Sequence, residues 1–469
     1  MFDVPTFETE DGSRPKAVMV GVQLPGVTAA DLDSSLGELQ RLAKTLGLDV
    51  VGRVTQRRNG IAAQNLIGNG KLRELARWTE GSGVVPTYEK PGTDRRDRGA
   101  NAEDEEDDDI PYKGDGFVEA PPVRATVVLV DHDLSPRQQR NLELATGAVV
   151  QDRTAVIIGI FHRHARTREA RLQVEIARLR YVAPRMREGG GGGDRVRGGI
   201  GGKGAGESAL ELDRRRIRDR IAELRQELKA IETTSSVRRG RRGELSVVAL
   251  VGYTNAGKSS LMRALTGSEV FVADRLFATL DTTVRKLAPL TDPPILVSDT
   301  VGFIKKLPHD LVASFRSTLQ EAANADLILH LVDASDPAHG AHMEVTRQVL
   351  GEVGADLATS WTVLNKMDLV DDDARAELLA NHEDALPISV KRPEDVTELR
   401  ERILAFFLGE LEDVDILVPW ARHGELAHVL HEKCRVLGED AEEEGARFRL
   451  RAAGSTLDDI RRRLASSEQ

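Results

Sequence analysis

The sequence is poor in cysteine and in aromatic side chains. Its single thiol, Cys434, has no second cysteine for a disulfide within the chain, and no group of cysteine and histidine residues has the spacing of a zinc site. Aromatic residues make up 4% of the 469 residues, whereas 40% are hydrophobic and 30% are charged. This composition excludes a disulfide-rich or zinc-stabilised fold and is typical of a globular protein in the reducing cytosol.

Long apolar stretches are also missing. The N-terminal residues MFDVPTFETEDGSRPK lack the apolar core of a signal peptide, and no apolar run approaches the roughly 20 residues of a membrane span. We therefore expect a cytoplasmic protein with no membrane partner. At this length, the usual size of a domain predicts about three domains.

The net charge of −11 is unevenly distributed along the chain. Residues 166–242 contain 21 Lys and Arg against 11 Asp and Glu, a surplus of +10, so the remainder carries −21. This basic segment is compatible with an anionic partner even though the whole chain is acidic. Seven consecutive acids, residues 103–109, lie in a low-complexity stretch that we predict to be a solvated, disordered loop over about 89–120.

Strand and helix patterns alternate in the first part of the chain. The predicted strands cover residues 16–25, 48–56 and 125–130, and the predicted helices cover 29–46 and 136–145. Such alternation is typical of α/β folds. It predicts an N-terminal α/β domain over residues 1–165.

From Thr167 onward, apolar residues recur at helical spacing in two segments. They alternate at intervals of three and four residues, which is the pattern of helices that pack together. The two seams are Leu172, Ile176, Leu179, Ala183 and Met186, then Ile217, Ile221, Leu224, Leu228 and Ile231. Adjacent helices usually run antiparallel, so we predict a helical hairpin over 166–242 with its glycine-rich tip at 187–207. Helices of about 20 residues would form an arm of roughly 30 Å.

The predicted tip combines glycine with positive charge. Eleven glycines lie between Gly189 and Gly206. Arginines on paired helices can be ordinary surface residues, but the glycines, the positive surplus and the lack of aromatics favour contact with a phosphate backbone. The residues expected to contact such a phosphate backbone are Arg185, Arg187, Arg195, Arg197 and Lys203.

A nucleotide-binding motif follows the hairpin. The apolar stretch LSVVALV precedes GYTNAGKSS, which starts at Gly252, and the helical pattern SLMRALTG follows it. This is G-x-x-x-x-G-K-[ST] between a strand and a helix, where backbone N–H groups wrap the α and β phosphates. Lys258 would reach the β and γ phosphates, and Ser259 would be a ligand of Mg²⁺.

Four further elements follow this P-loop in the order expected of a GTPase. Asp299 in DTVG would hold Mg²⁺ through water, while the Gly302 N–H would meet the γ phosphate. Thr279 in LFATLD lies between the P-loop and DTVG, where a threonine closes on Mg²⁺ and the γ phosphate. Asp368 in NKMD can accept hydrogen bonds from guanine N1 and the exocyclic amine, and Ser389 in PISVK is the second base-side element. Each alone could be a plain turn, but the ordered set predicts a GTP site.

These motifs define the predicted site. Its catalytic residues are Lys258, Thr279, Gly302 and Asn255, and its metal ligands are Ser259, Thr279 and Asp299. The residues predicted to bind the nucleotide are Gly252, Tyr253, Thr254, Asn255, Ala256, Gly257, Lys258, Ser259, Phe277, Ala278, Thr279, Leu280, Asp281, Asp299, Thr300, Val301, Gly302, Asn365, Lys366, Met367, Asp368, Ser389, Val390 and Lys391.

Two positions bear on the rate of hydrolysis. Small G domains usually place glutamine after the DxxG glycine to orient the attacking water, but this chain has Phe303, which predicts slow hydrolysis without a partner. Asn255 occupies a P-loop position where asparagine recurs in GTPases that use K⁺ in place of an arginine finger. A turn-forming asparagine is the alternative.

The rest of the chain is assigned to two domains. Residues 243–410 are predicted as the GTPase domain. In residues 411–469, DILVPW and ARFRLRA are predicted as strands and ELAHVLHEKC and LDDIRRRL as helices, which indicates a small C-terminal α/β domain.

These stretches resemble the HflX family of ribosome-associated GTPases, in the Obg-HflX group of the TRAFAC class. The resemblance spans about residues 16–410. It is carried by LIGNGKLREL, LSPRQQRNLE, DRTAVIIGIFHRHARTREARLQVEIARL, GGIGGKGAGESALELDRRRI, GYTNAGKSS, LFATLDTT and DTVGFIKKLPHDLVASF. Two departures are GAGESALE where the family usually has GPGETQLE, and Thr282 in place of a proline.

The resemblance implies a multidomain α/β protein with a Ras-like P-loop GTPase domain, an N-terminal α/β domain, an antiparallel helical hairpin and a small C-terminal α/β domain. It implies GTP and Mg²⁺ as cofactors, a monomer, and the large ribosomal subunit and its RNA as partner, with no DNA. The hairpin would enter near the peptidyl transferase centre, and the protein would split or rescue ribosomes under stress. The alternatives are ribosome silencing or antibiotic protection, and a switch acting on a non-ribosomal protein.

Overall fold

The protein is described by a computed structural model. The described residues are 14–61, 65–85, 123–186, 209–240, 246–267, 276–277, 283–291, 294–306, 322–352, 354–355, 359–408 and 411–465. The acidic loop and the glycine-rich tip lie outside these ranges. The chain divides into two compact units, Met1–Arg163 with Arg171–Gln226, and His164–Ala170 with Glu227–Gln469. Within the described ranges, no helix is long and apolar enough to cross a membrane.

The first unit begins with a parallel sheet and its helices. The strands are β1 (Lys16–Gln23), β2 (Asp49–Arg57), β3 (Val127–Val130) and β4 (Val149–Asp152), and the helices are α1 (Ala29–Leu46), α2 (Asn69–Thr79), α3 (Pro136–Thr146) and α4 (Arg153–His164). The strands lie in the order β2-β1-β3-β4. The strands and helices predicted in this region are confirmed to within two residues, whereas α2, β4 and α4 were not predicted.

Local sequence explains where two of these helices begin. The Thr28 hydroxyl accepts a hydrogen bond from the Asp31 N–H at 3.1 Å, and the Asp31 carboxylate accepts from the Thr28 N–H at 3.1 Å. Ser135 and Gln138 form the same capping box at the start of α3. Each box satisfies backbone donors that the first helical turn leaves without intrahelical partners.

A buried ion cluster joins α1, β3 and α4. Arg153 donates to Glu38 at 2.5 Å and to Asp131 at 2.8 Å, and the Ser35 hydroxyl donates to the same Asp131 carboxylate at 2.7 Å. The side chains of Arg153, Glu38 and Asp131 are at most 3% exposed. Removing one charge would leave its partners buried without compensation, so this cluster fixes how the two helices pack on the sheet.

Two long helices follow, α5 (Arg168–Val182) and α6 (Ala209–Gly240). Arg168 pairs with Glu227 at 2.9 Å, and residues 183–184 line a common surface with Glu211. The helices therefore run antiparallel, as predicted. The predicted seam was too long, because a 3-10 turn begins at Ala183, with Pro184 inside it, and Met186 is extended.

The second unit contains a six-stranded sheet among its described residues. Its strands are β5 (Val247–Gly252), β6 (Thr283–Lys286), β7 (Leu296–Asp299), β8 (Leu327–Asp333), β9 (Ser360–Asn365) and β10 (Leu386–Pro387). They lie in the order β10-β9-β8-β5-β7-β6, and β6 is antiparallel to β7 whereas the other pairs are parallel. The parallel strands end at one edge of the sheet, where open α/β sheets bind ligands.

Helices cover this sheet and build its core. They are α7 (Lys258–Thr266), α8 (His339–Glu352), α9 (Asp372–Asn381) and α10 (Pro393–Leu408). The core combines strand residues such as Leu250, Val297 and Leu329 with α7 and α10 residues such as Met262 and Ile403, all at most 1% exposed. The sheet and α7 are thereby held as one rigid frame for the loops at the ligand-binding edge.

The last residues form an antiparallel sheet with two helices. The elements are β11 (Leu411–Pro419), α11 (Trp420–Lys433), β12 (Arg435–Ala441), β13 (Gly445–Ala453) and α12 (Gly454–Ala465), with strand order β11-β13-β12. The predicted strands and helices are confirmed, except that Trp420 begins α11 rather than ending a strand. The strand β12 was not predicted. On α10, Glu401 pairs with Arg435 and, at 3.4 Å, with Arg451.

Candidate functional site

The loop between β5 and α7 is held in a conformation that requires glycine. Gly252 has φ +149 and Gly257 has φ +100, in the region that other residues rarely adopt. A Cβ on Gly252 would lie 2.2 Å from the Leu331 carbonyl oxygen, and one on Gly257 would lie 2.3 Å from Asn365 Nδ2. Both the backbone angle and the close packing therefore demand the two glycines of the motif.

The Lys258 side chain lies inside this loop. Its Nζ donates to the carbonyl oxygens of Gly252 at 3.0 Å and Tyr253 at 2.9 Å. Burial lowers the pKa of Lys258 to about 8, while the negative charge of Asp299 acts in the opposite direction. The Lys258 ammonium group carries a positive charge in a buried loop. The negatively charged oxygens of a phosphate would therefore stabilise it strongly.

The end of β7 lies against the start of α7. The Ser259 hydroxyl donates to the Asp299 carboxylate at 2.8 Å, and Asp299 is fully buried. The described residues contain no cluster of three or more His, Cys, Asp and Glu side chains that could hold a metal by themselves. One hydroxyl and one carboxylate beside a phosphate site nevertheless fit Mg²⁺, which prefers oxygen ligands and commonly shares its coordination with substrate phosphates.

The segment after Asp299 crosses the P-loop. Thr254 N–H donates to the Phe303 carbonyl at 2.8 Å, and Phe303 N–H donates to the Gly252 carbonyl at 3.2 Å. A Cβ on Gly302 would lie 3.0 Å from Lys258 Nζ. The Gly302 backbone is thus close to the lysine, and Thr300 donates its hydroxyl to the Leu250 carbonyl at 2.7 Å.

The base-side motifs meet at the ends of β9 and β10. The Asn365 amide donates to the Ala256 carbonyl at 2.8 Å, which ties this motif to the P-loop. The Asp368 carboxylate accepts from the Ser389 hydroxyl at 2.7 Å and from Lys391 Nζ at 3.0 Å. These two hydrogen bonds, that of Ser389 first, hold the pKa of the Asp368 carboxyl below its usual range. Asp368 is therefore a permanent acceptor, which is what the two guanine donors need.

Comparison with known proteins agrees with this geometry. Residues 164–242 match a family model described as the GTP-binding GTPase middle region, residues 247–366 match one described as 50S ribosome-binding GTPase, and residues 33–85 and 117–162 match the GTP-binding GTPase N-terminal model. A GTPase HflX of Gluconacetobacter diazotrophicus is 54% identical over 460 residues, which cover 96% of this chain and 98% of that protein. The chain belongs to the HflX family of GTPases. It binds GTP and hydrolyses it.

Other relatives are more distant. The GTPase HflX of Caldanaerobacter subterraneus subsp. tengcongensis is 37% identical over 436 residues, covering 92% of this chain and 90% of that protein. A crystal structure of a GTP-binding protein from Sulfolobus solfataricus in complex with GDP shares 20% identity, covering 83% of this chain and 99% of that chain, with a TM-score of 0.41.

Several of the predicted nucleotide residues lie outside the described residues. These are Ala278, Thr279, Leu280 and Asp281. Their neighbour Phe277 is buried, with φ +57. For the other predicted positions, the structure brings the P-loop, the residues 299–302 and the two base-side motifs to one edge of the sheet.

Arg185 does not fit the predicted contact with RNA. Its guanidinium donates to Gln139 Oε1 at 3.0 Å, Asp152 Oδ2 at 2.9 Å, the Leu134 carbonyl at 2.7 Å and the Tyr181 carbonyl at 3.0 Å. The side chain is 16% exposed. Most of its donors are therefore committed to the protein, and its charge is compensated by Asp152. The other predicted RNA residues, Arg187, Arg195, Arg197 and Lys203, lie outside the described residues.

Two residues near the nucleotide site were not predicted. Asp333, at the end of β8, accepts a hydrogen bond from Lys366 Nζ at 2.6 Å and so fixes the lysine of NKMD. His342 on α8 stacks on the P-loop residue Tyr253, with ring centroids 3.7 Å apart. Neither residue belongs to a recognisable motif. Only the position of Asp333 at the end of an apolar strand gave a sequence signal.

Proposed function

We propose that this GTPase uses GTP to act on the large ribosomal subunit and to split or rescue stalled ribosomes. The proposal rests on one observation. The same chain contains both this P-loop geometry and the basic antiparallel helical pair α5 and α6. The match of residues 247–366 to the 50S ribosome-binding GTPase model supports the partner. Ribosome binding would place the protein in the cytoplasm. We propose that it acts there as a monomer.

The proposed roles in the nucleotide site follow from the contacts. Lys258 holds the β and γ phosphates, exchanging its hydrogen bonds to the loop carbonyls for bonds to the phosphate oxygens. Ser259 and Asp299, joined by Thr279, would hold Mg²⁺, which would withdraw charge from the β and γ phosphates when bound. The Gly302 N–H meets the γ phosphate, and Asp368 with Ser389 and Lys391 selects guanine.

The architecture we propose assigns separate tasks to four parts. Residues 1–165 are an N-terminal α/β domain, 166–242 are the hairpin that contacts ribosomal RNA, 243–410 are the GTPase domain, and 411–469 are the C-terminal domain. The buried contacts of Arg185 support a hairpin that is anchored at the base of its tip, so the basic residues beyond it would be presented by a fixed arm.

Hydrolysis is expected to be slow alone and at least about 10²-fold faster with large ribosomal subunits, since a partner must complete the phosphoryl-transfer site. Phe303, 2% exposed and bonded through its backbone to the P-loop, cannot orient a water molecule. Phosphate release from purified protein, with and without subunits, measures this effect. Equal rates would contradict the proposed dependence on the ribosome.

The same assay in KCl and NaCl tests the role of Asn255. This residue has φ +66, so a turn requirement alone explains an asparagine, while its exposed position leaves the amide oxygen accessible to a cation. We propose that K⁺ assists hydrolysis here. A faster rate in KCl than in NaCl that is lost in Asn255→Ser supports this proposal. Equal rates in the two salts would contradict the role of K⁺, but they would leave the proposed ribosomal partner untouched.

Replacing Arg195, Arg197 and Lys203 together by alanine is expected to weaken binding to large subunits. Each lost phosphate contact removes about 0.7–0.9 from the slope of log affinity against log salt, so the slope should fall by about two to three. Cosedimentation at two salt concentrations measures both affinity and slope. The affinity for GTP without ribosomes should not change.

The matched control changes three exposed arginines of α12, Arg461, Arg462 and Arg463, to alanine, because α12 has no part in the proposed RNA contact. Wild-type affinity and slope in the tip variant would contradict a role in RNA binding.

Sedimentation of whole ribosomes also separates the alternatives. Loss of 70S particles with GTP supports splitting, binding without loss favours silencing or protection, and no cosedimentation favours a switch on another protein.

A further inference from the structure

The P-loop carries an aromatic side chain that is buried against helix α8. Tyr253 is 5% exposed, and its ring lies nearly parallel to the His342 imidazole, with centroids 3.7 Å apart and planes at 11°. His342 lies on α8 and is 7% exposed. Its Nδ1 is 3.9 Å from the Asp336 carboxylate, in the loop between β8 and α8. A buried stack in this geometry fixes the position of both rings.

The phenol of Tyr253 reaches the segment that follows DTVG. Its hydroxyl oxygen accepts a hydrogen bond from the backbone N–H of Lys305 at 2.6 Å. Two backbone hydrogen bonds, between the P-loop and Phe303, lie beside it. Tyr253 therefore extends the attachment of residues 299–303 to the P-loop by two further residues.

The backbone of Tyr253 also contacts the catalytic lysine. Its carbonyl oxygen accepts from Lys258 Nζ at 2.9 Å. One residue thus joins Lys258, the segment at Lys305 and helix α8. In GTPases, the segment after DxxG is ordered by the γ phosphate and released after hydrolysis, so a side chain that holds it biases this equilibrium.

We propose that Tyr253 and His342 are positioning residues that hold residues 299–305 against the P-loop. The hydroxyl of Tyr253 anchors Lys305, and the His342 ring keeps Tyr253 in the orientation that reaches it. Helix α8 is thereby connected to the segment that approaches the γ phosphate. The proposal rests on the nucleotide site proposed above, but it assigns these two side chains a role that no motif of that site includes.

The first test is Tyr253→Phe, which removes the hydroxyl and leaves the stack. Loss of one hydrogen bond should make the bonds after Lys305 and Lys306 about two- to tenfold more susceptible to trypsin in the GTP-bound protein. It should lower kcat for GTP hydrolysis by a similar factor, while GDP affinity stays within about twofold. Tyr181→Phe, which removes a phenol hydrogen bond in the other unit, is the control.

The second test concerns the stack. His342→Ala should reproduce the effects of Tyr253→Phe. His342→Phe keeps an aromatic ring, so its trypsin susceptibility and kcat should return towards the wild-type values. The double variant with Tyr253→Phe should lose less than the product of the two single effects, because both act through one contact. His428→Ala, an exposed histidine on α11, controls for loss of an imidazole.

The outcomes are distinct. Wild-type trypsin susceptibility and kcat in Tyr253→Phe would overturn the proposal, and so would effects of His342→Ala that are independent of those of Tyr253→Phe. A thermal unfolding midpoint for each variant identifies general destabilisation, which would lower GDP affinity and kcat together and so contradict a positioning role. Lys258→Ala tests the nucleotide site itself. Unchanged GTP affinity in that variant would refute the site, whatever Tyr253 does.

Discussion

Asp368→Asn is expected to lower GTP affinity about 10²- to 10⁴-fold and to shift preference towards xanthosine nucleotides. Two hydrogen bonds from guanine to a carboxylate are lost, and each hydrogen bond to a charged group contributes about 1.5–3 kcal/mol. The loss is large because the structure already fills the other acceptor positions of Asp368 with donors from Ser389 and Lys391. Titration with fluorescent GTP and XTP analogues measures the change.

The direction of the switch follows from the donors and acceptors. Xanthine has a carbonyl where guanine has the exocyclic amine, so the new amide N–H meets an acceptor instead of a donor. Asp371→Asn is a matched control, because Asp371 caps α9 by accepting from the Ala374 N–H, and asparagine caps helices equally well. Unchanged GTP affinity in Asp368→Asn would refute the base-reading role of Asp368.

The nucleotide site was largely predictable because its motifs are local. A strand, a glycine loop and a helix are consecutive in the sequence, and Gly252 and Gly257 are required by the backbone itself. Parallel strands end at the same edge of a sheet, so the ends of β7 and β9 are expected to lie beside the P-loop. Asp299 and Asn365 could therefore be placed near Lys258 without coordinates.

Contacts between distant segments could not be predicted in this way. Arg185 was assigned to RNA because its charge and position fit the basic tip. Only the fold shows that Gln139 and Asp152 approach it and compensate that charge. The stack of Tyr253 on His342 was missed for the same reason, since only the fold shows that helix α8 packs against the P-loop.

Two errors in the helices also have local causes. The seam predicted through Met186 ignored Pro184, which has no N–H for a helical hydrogen bond and ends the regular helix. Helix α4 was missed because its apolar residues are nearly continuous, from Ala155 to Phe161, and most of it is buried. A helix surrounded by protein lacks the amphipathic period on which the sequence analysis depended.

Gly302→Ala is expected to reduce GTP hydrolysis about 10²- to 10³-fold, which is the usual cost of removing one donor that stabilises a developing charge. The added Cβ would lie 2.8 Å from Thr254 Cγ2 and 3.0 Å from both Thr254 Cα and Lys258 Nζ. Thr254 is buried in the P-loop and its Cα cannot yield, so residues 299–303 must move outward and carry the Gly302 N–H away from the γ phosphate. Single-turnover hydrolysis measures the effect.

The affinity for GDP separates this mechanism from simple misfolding. GDP has no γ phosphate, so displacing Gly302 should change its affinity by less than about threefold, whereas a distorted P-loop would weaken both nucleotides. Gly340→Ala is the matched control, since a Cβ there meets no atom within 4 Å and lies in the first turn of α8, where alanine is favoured. Normal hydrolysis in Gly302→Ala would show that the segment can shift without losing the γ phosphate. In that case the close approach of Gly302 to Lys258 would be a matter of packing alone.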